Sequence, residues 1–317
     1  MKKIETPYYK YAGLTLALTF SALASATESG SPSTAVGVYD FGAGYLPPAT
    51  ENGTIATRIN VYSADKLANN NGDSTPGQDF NLDVLSVSAV YLNMTDTEIL
   101  GGRYGYSAIV PFLRMDGSIS VSVPGVGTVF EDSAELFKLG DIQFIPLMLG
   151  WNPAPNMAFN TQFAIQAPTG DYDQNRFISP GLNHWVFTPS AAFSYISQSG
   201  FEVSSNFQLD ISTRNDDTDY KNGLEFRHEF AVGQHVDEWT VGLGGYYYRQ
   251  LTDDKTGSNY AGQPIVDGNK LEVLALGPAI SYFSPGKPTV LFHAYKEFDA
   301  KNRTEGYNVA VRVAHSF

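Results

Sequence analysis

The residues of this chain that could do chemistry recur at every second position. Glu225, Arg227 and Glu229 alternate with Leu224, Phe226 and Phe230. Asn206, Gln208 and Asp210 alternate with Phe207, Leu209 and Ile211, and Asn160 and Gln162 with Phe159, Thr161 and Phe163. Tyr246 and Tyr248 share a face with Gln250, Arg58 with Asn60, and Arg312 with Ala310 and Ala314. Period two places each set on one side of a strand. Carboxylates, guanidiniums, amides and phenols pooled on one surface can hold and sort a solute by hydrogen bonds and charge. They also neutralise one another, so a purely structural pairing is the competing reading. Hydrolytic chemistry has less support. The five His stand in no motif that names a partner Ser, and G-x-S-x-G is absent. Asp171–Asn175 begins like a calcium loop but lacks its Gly and distal Glu, and Asn215–Asp219 and Asp253-Asp254 read as carboxylate pairs in solvated loops, with divalent ions bridging them to lipopolysaccharide phosphate as the alternative, so no resident metal or cofactor is expected. There is no Cys.

The elements that carry these residues read as strands throughout. The final stretch, Tyr307 to Phe317, alternates strictly. Tyr307, Val309, Val311, Val313 and Phe317 take one face, Asn308, Ala310, Arg312 and Ala314 the other. Twelve such stretches are predicted, near 54–65, 79–94, 100–114, 141–152, 156–168, 183–197, 200–213, 221–235, 238–252, 270–284, 287–299 and 302–317. A count of fourteen arises if 117–123 and 126–131 add a membrane hairpin. Their weak apolarity instead predicts a protruding extracellular hairpin. The connections alternate long and short, as in transmembrane barrels with long outer loops and short periplasmic turns. With 17% charged and 13% aromatic residues and no apolar run of about 20 beyond the N-terminus, a helical membrane bundle is excluded and a barrel suits. A net charge of −13 argues against nucleic acid as a partner.

Residues 1–26 have a basic start, an apolar run from Ala12 to Ala22, and Ala24-Ser25-Ala26 as a small-x-small site, so a signal peptide is expected. Residues 27–53 are read as an N-terminal segment, either a periplasmic linker or a plug in the lumen, and 54–317 as the barrel. By parity the charged and amide faces point into the lumen, since charge facing lipid is costly. His228 and His315 then fall on the lipid side. Pro111, Pro146, Pro189 and Pro278 fall inside predicted strands. Each lacks the N–H a ladder needs and must mark a gap or bulge, a candidate kink in the wall.

Several stretches resemble a known family. They are Leu46-Pro47-Pro48 with Thr57 to Leu67, and Leu139-Gly140-Asp141-Ile142 leading to Gly150-Trp151. Further on come Ala167 to Asp173 with Gly181 to Trp185 and Pro189, Gly245 to Asp254, and Leu276-Gly277-Pro278. Together these resemble the outer-membrane proteins of the phenol meta-degradation pathway, across nearly the whole chain after residue 26. The resemblance implies an outer-membrane barrel similar in outline to channels for hydrocarbons and long-chain fatty acids, and it carries over no catalytic residue. The expectation is therefore an all-β, up-and-down antiparallel barrel of about twelve strands in the bacterial outer membrane. It would be a channel rather than an enzyme, passing small hydrophobic or aromatic compounds. Its expected partners are outer-membrane lipid and lipopolysaccharide, the barrel-assembly machinery through Phe317, and small hydrophobic solutes. A non-transporting structural barrel is the alternative, and a lipid hydrolase a more remote one.

Overall fold

The computed structural model describes residues 32–262 and 264–317. The expected signal peptide lies outside them. The strands are β1 (Thr54–Leu67), β2 (Gln78–Ile99), β3 (Gly102–Val123), β4 (Gly127–Leu139) and β5 (Gln143–Ala154). Next come β6 (Met157–Gln166), β7 (Val186–Ile196), β8 (Phe201–Ser212), the short β9 (Tyr220–Lys221) and β10 (Glu225–Val236). β11 (Trp239–Gln250), the short β12 (Lys255–Thr256), β13 (Glu272–Tyr282), β14 (Thr289–Lys301) and β15 (Thr304–Ser316) complete the chain.

Twelve of these form a closed antiparallel ring. β15 returns to β1, in a register that runs from Thr54 opposite Ser316 to Leu67 opposite Thr304. β4 stands outside the ring. It pairs with the upper half of β3, Phe112 to Val123, while β5 takes the lower half, Arg103 to Ile109. The expected hairpin is thus an extension of β3 and not a thirteenth and fourteenth wall strand. The connection expected between the stretches 79–94 and 100–114 is shorter than the sequence suggests: β2 runs on to Ile99, with Glu98 opposite Arg103 after a register shift. The turn is Leu100-Gly101, both at positive φ.

Polarity is inverted relative to a protein folded around an apolar centre. Ile55, Ile59, Val61, Phe207, Ile211, Val241, Leu243 and Phe292 lie exposed on the outside, Leu243 at 60%. Arg227, Glu229, Glu225, Glu202, Asp210 and Asn206 are buried within. Buried charge is rare unless paired, so the interior must be read as a site before it is read as a core. Part of the inside is nonetheless apolar, where Val36 and Phe41 pack with Tyr246, Tyr248, Tyr295, Val273 and Ala275.

All four strand prolines interrupt a ladder. Pro111 sits where β3 changes partner from β5 to β4. Pro146 lies in the register break between Phe144 and Leu147 on the β6 side. Pro189 falls in the unpaired stretch between Phe187 and Ser190 facing β8, and Pro278 in that between Leu276 and Ala279 facing β14. A missing N–H accounts for each gap.

Candidate functional site

The site is the barrel interior together with the residues before β1. Ser33 lies at one end of β8, where its hydroxyl is 3.3 Å from that of Ser212. Gly42 lies at the other end, its N–H donating to Glu202 at 2.7 Å. Ten residues of strand separate those two wall positions, roughly 33 Å. Nine residues of extended chain reach about 30 Å. Residues 33–42 therefore run along the inside of the barrel, from the rim with the long loops toward the rim with the short turns.

Wall side chains hold this segment by its backbone. Glu229 accepts three consecutive N–H groups, from Gly37 at 2.9 Å, Val38 at 2.8 Å and Tyr39 at 2.6 Å. Arg227 donates to the carbonyls of Thr34 and Ala35, 3.0 and 2.7 Å away, and to the Thr34 hydroxyl. It also pairs with Asp210 at 3.1 Å. Arg58 donates to the carbonyls of Val36 and Gly37, and Arg312 to that of Val38. Charge-assisted bonds of this kind are about twice as strong as neutral ones. Gly37 and Gly42 have positive φ, which lets the segment turn its N–H groups onto these carboxylates. Lower down, Asn160 donates to the Ala43 carbonyl and Ser194 accepts the Gly44 N–H. A Cβ on Gly44 would collide with the backbone of Ser194 and Ala158, so only glycine lets the chain lie flush on the wall here.

Every lumen candidate from the sequence has its side chain in this interior. Asn160, Gln162, Asn206, Gln208, Asp210, Glu225, Arg227, Glu229, Tyr246, Tyr248 and Arg58 are buried. Arg312 is more open and lies 3.5 Å from Asp40. Tyr248 donates to Glu225, which also accepts from Ser33 at 2.6 Å. Parity gave direction but missed several members. Glu297 collects Tyr62 and Tyr246, each at 2.7 Å, Arg303 at 2.8 Å and the Gly306 N–H. Glu202 also accepts His235 at 2.6 Å, and Asp40 faces His293 at 3.3 Å. The alternation of His293, Tyr295 and Glu297 against Ala294, Lys296 and Phe298 was the signal available for that strand.

Among the described residues, no His that hydrogen-bonds a Ser is also held by a carboxylate. Among the described residues, neither ring nitrogen of buried His184 is hydrogen-bonded to a Ser, Asp or Glu side chain. Burial holds its pKa down, at about 4. His228 is on the outer surface, stacked on Phe207 at 4.4 Å with Nε2 3.2 Å from the Ser205 hydroxyl. The β8–β10 ladder runs unbroken from Gln234 to Glu225, so the strand N–H groups there are occupied and none is free to form an oxyanion hole. Among the described residues no group of three or more His, Asp or Glu could hold a metal ion.

Residues 64–313 match the family described as "Putative MetA-pathway of phenol degradation". The chain belongs to that family. Among solved structures it is similar to an outer membrane channel from Pseudomonas putida F1, at 14% identity and a TM-score of 0.64, covering 87% of this chain and 98% of that one. The transport unit of the autotransporter AIDA-I from Escherichia coli has a TM-score of 0.46 at 10% identity, covering 86% and 94%. The CymD monoaromatic hydrocarbon channel has 0.41 at 12%, covering 84% and 89%. No curated protein sequence matches. The family and the fold make this chain an outer-membrane β-barrel, and its exposed outer band of Ile, Val, Leu and Phe is the lipid-facing surface.

Proposed function

We propose that this family member is an outer-membrane passage for small hydrophobic or aromatic compounds, and that residues 33–45 act as its plug. One observation carries the reading. The segment in the lumen belongs to no strand, and it is held by side chains to its backbone, with Glu229 gripping three successive N–H groups. Such a segment can leave as a unit while the twelve-stranded wall stays closed. The wall it would uncover is in part aromatic, with Tyr62, Tyr246, Tyr248 and Tyr295, which suits a solute with apolar surface and a polar tip. The ladder gaps at Pro111, Pro146, Pro189 and Pro278 are candidate points where an apolar solute would pass sideways into lipid. Phe317, exposed at the end of β15, is the group through which the assembly machinery would recognise the chain.

The test uses full-length barrel and a variant lacking residues 33–45, both checked for the folded state in detergent. In planar bilayers the shortened barrel is expected to conduct steadily and the full-length one to conduct little or in brief openings. Cells carrying it should take up a monoaromatic compound faster. A folded, shortened barrel that neither conducts nor changes uptake would establish the non-transporting structural barrel instead.

A further inference from the structure

At the loop-bearing rim, the short strands β9 and β12 pair so that Lys221 stands directly opposite Lys255. Like charges directly opposite one another destabilise a strand pair. Neither lysine forms a salt bridge among the described residues, and the nearby carboxylates are taken. Asp219 pairs with Arg214 at 2.6 Å and Asp253 with Lys270 at 2.8 Å. Asp254 is buried within a shell made by Tyr220, the Gly223 N–H, Gln250 and Asn269. Both lysines line one cavity of about 150 Å³, together with Ile211, Leu224, Thr252 and Asp253. Ile211 belongs to the exposed lipid-facing band of β8. The cavity opens just past the last ladder pair of β8 and β10, Asp210 with Glu225.

The geometry points to a binding site for the phosphate of an outer-leaflet glycolipid, with Lys221 and Lys255 on the phosphate and Ile211 and Leu224 beneath the start of its acyl region. Two unneutralised cations directly above an apolar rim, on a chain whose net charge is −13, are complementary to a lipid anion and out of place without one. The cavity has room for one phosphate group. This site rests on the outer-membrane location and not on the passage proposed above, so either can fail without the other.

The experiment titrates full-length protein in neutral detergent with diphosphoryl lipid A, dephosphorylated lipid A and inorganic phosphate, and reads binding by native mass spectrometry. Diphosphoryl lipid A should bind, and the double variant K221Q/K255Q should bind it roughly thirty-fold more weakly, from about a kilocalorie per mole for each lysine. Both lysines are on the surface, so the variant keeps the fold, which the unchanged mass of retained detergent and heat-dependent gel mobility would verify. Equal affinity in the variant, or equal affinity for dephosphorylated lipid, overturns the proposal. Saturation by inorganic phosphate at the same concentration as lipid A also overturns it, in favour of a soluble-anion site.

Discussion

Arg227 concentrates the interior's electrostatics in one side chain. It reaches Asp210 at 3.1 Å and Glu229 at 3.7 Å, and it holds two carbonyls of the lumenal segment. Removing one member of a buried charge set costs about 3–5 kcal/mol, because the partners are left desolvated and unpaired. Arg227→Ala should therefore lower the denaturation midpoint of the refolded barrel clearly, and Arg227→Lys should recover only part of it, since an ammonium lacks the fork that spans both carboxylates and carbonyls. Equal midpoints for wild type and Arg227→Ala would show that the network contributes nothing. At this scale the sequence was readable in one respect only. Alternation told which way Arg227, Glu229 and Tyr246 point. It was silent on partners, because those of Glu229 lie some 190 residues earlier, in a segment with no strand pattern of its own. Asp40 escaped notice for the same reason.

Elements were more legible than contacts. The outward apolar face of each strand sets its register, since a one-residue slip would turn every Ile and Phe inward. Hence β15 pairs with β1 where its parity required, and β8, β10 and β11 lie within a few residues of expectation. The polar run Thr95 to Glu98 misled because composition marks turns and backbone pairing does not read composition. The prolines coincide with gaps in the ladders, but whether a gap is a doorway is a question of transport. Replacing Pro189 with Ala restores an N–H facing β8 and should slow uptake of an apolar solute if that gap is an exit. Uptake equal to wild type in a folded variant would remove Pro189 from consideration.

The outer loops permit a second test at the same scale. Burial raises the Asp254 carboxyl to about 6, above its ordinary value, against the opposing pull of the Tyr220 hydroxyl and the Gly223 N–H. The folded loops therefore hold the proton more tightly than unfolded ones. The resulting stabilisation is fully present below about 4, the ordinary carboxyl value, and is lost as pH rises through about 6. Hydrogen exchange across residues 251–262 and 264–271 should be slower at pH 5 than at pH 7.5, after correction for intrinsic rates, and Asp254→Asn should abolish the difference. Protection that does not change with pH in the wild type would contradict the assignment.

For the molecule as a whole, the inward charges nearly cancel once the lumenal segment is set aside. Glu202, Asp210, Glu225, Glu229 and Glu297 remain on the wall, facing Arg58, Arg227, Arg303 and Arg312. Five carboxylates against four guanidiniums make a lumen with little net field, unlike a pore ringed by one sign of charge. A barrel relieved of residues 33–45 should then discriminate weakly between ions. In a tenfold potassium chloride gradient its reversal potential should lie close to zero, leaning slightly toward cations. Glu229→Gln in that shortened barrel removes one of the five carboxylates and should erase the lean, because no backbone N–H remains for that side chain to hold. A strong anion preference in the shortened barrel would mean that some of these carboxylates are protonated or turned away. The interior would then be built to shed the segment's partners rather than to wait, charged, for its return.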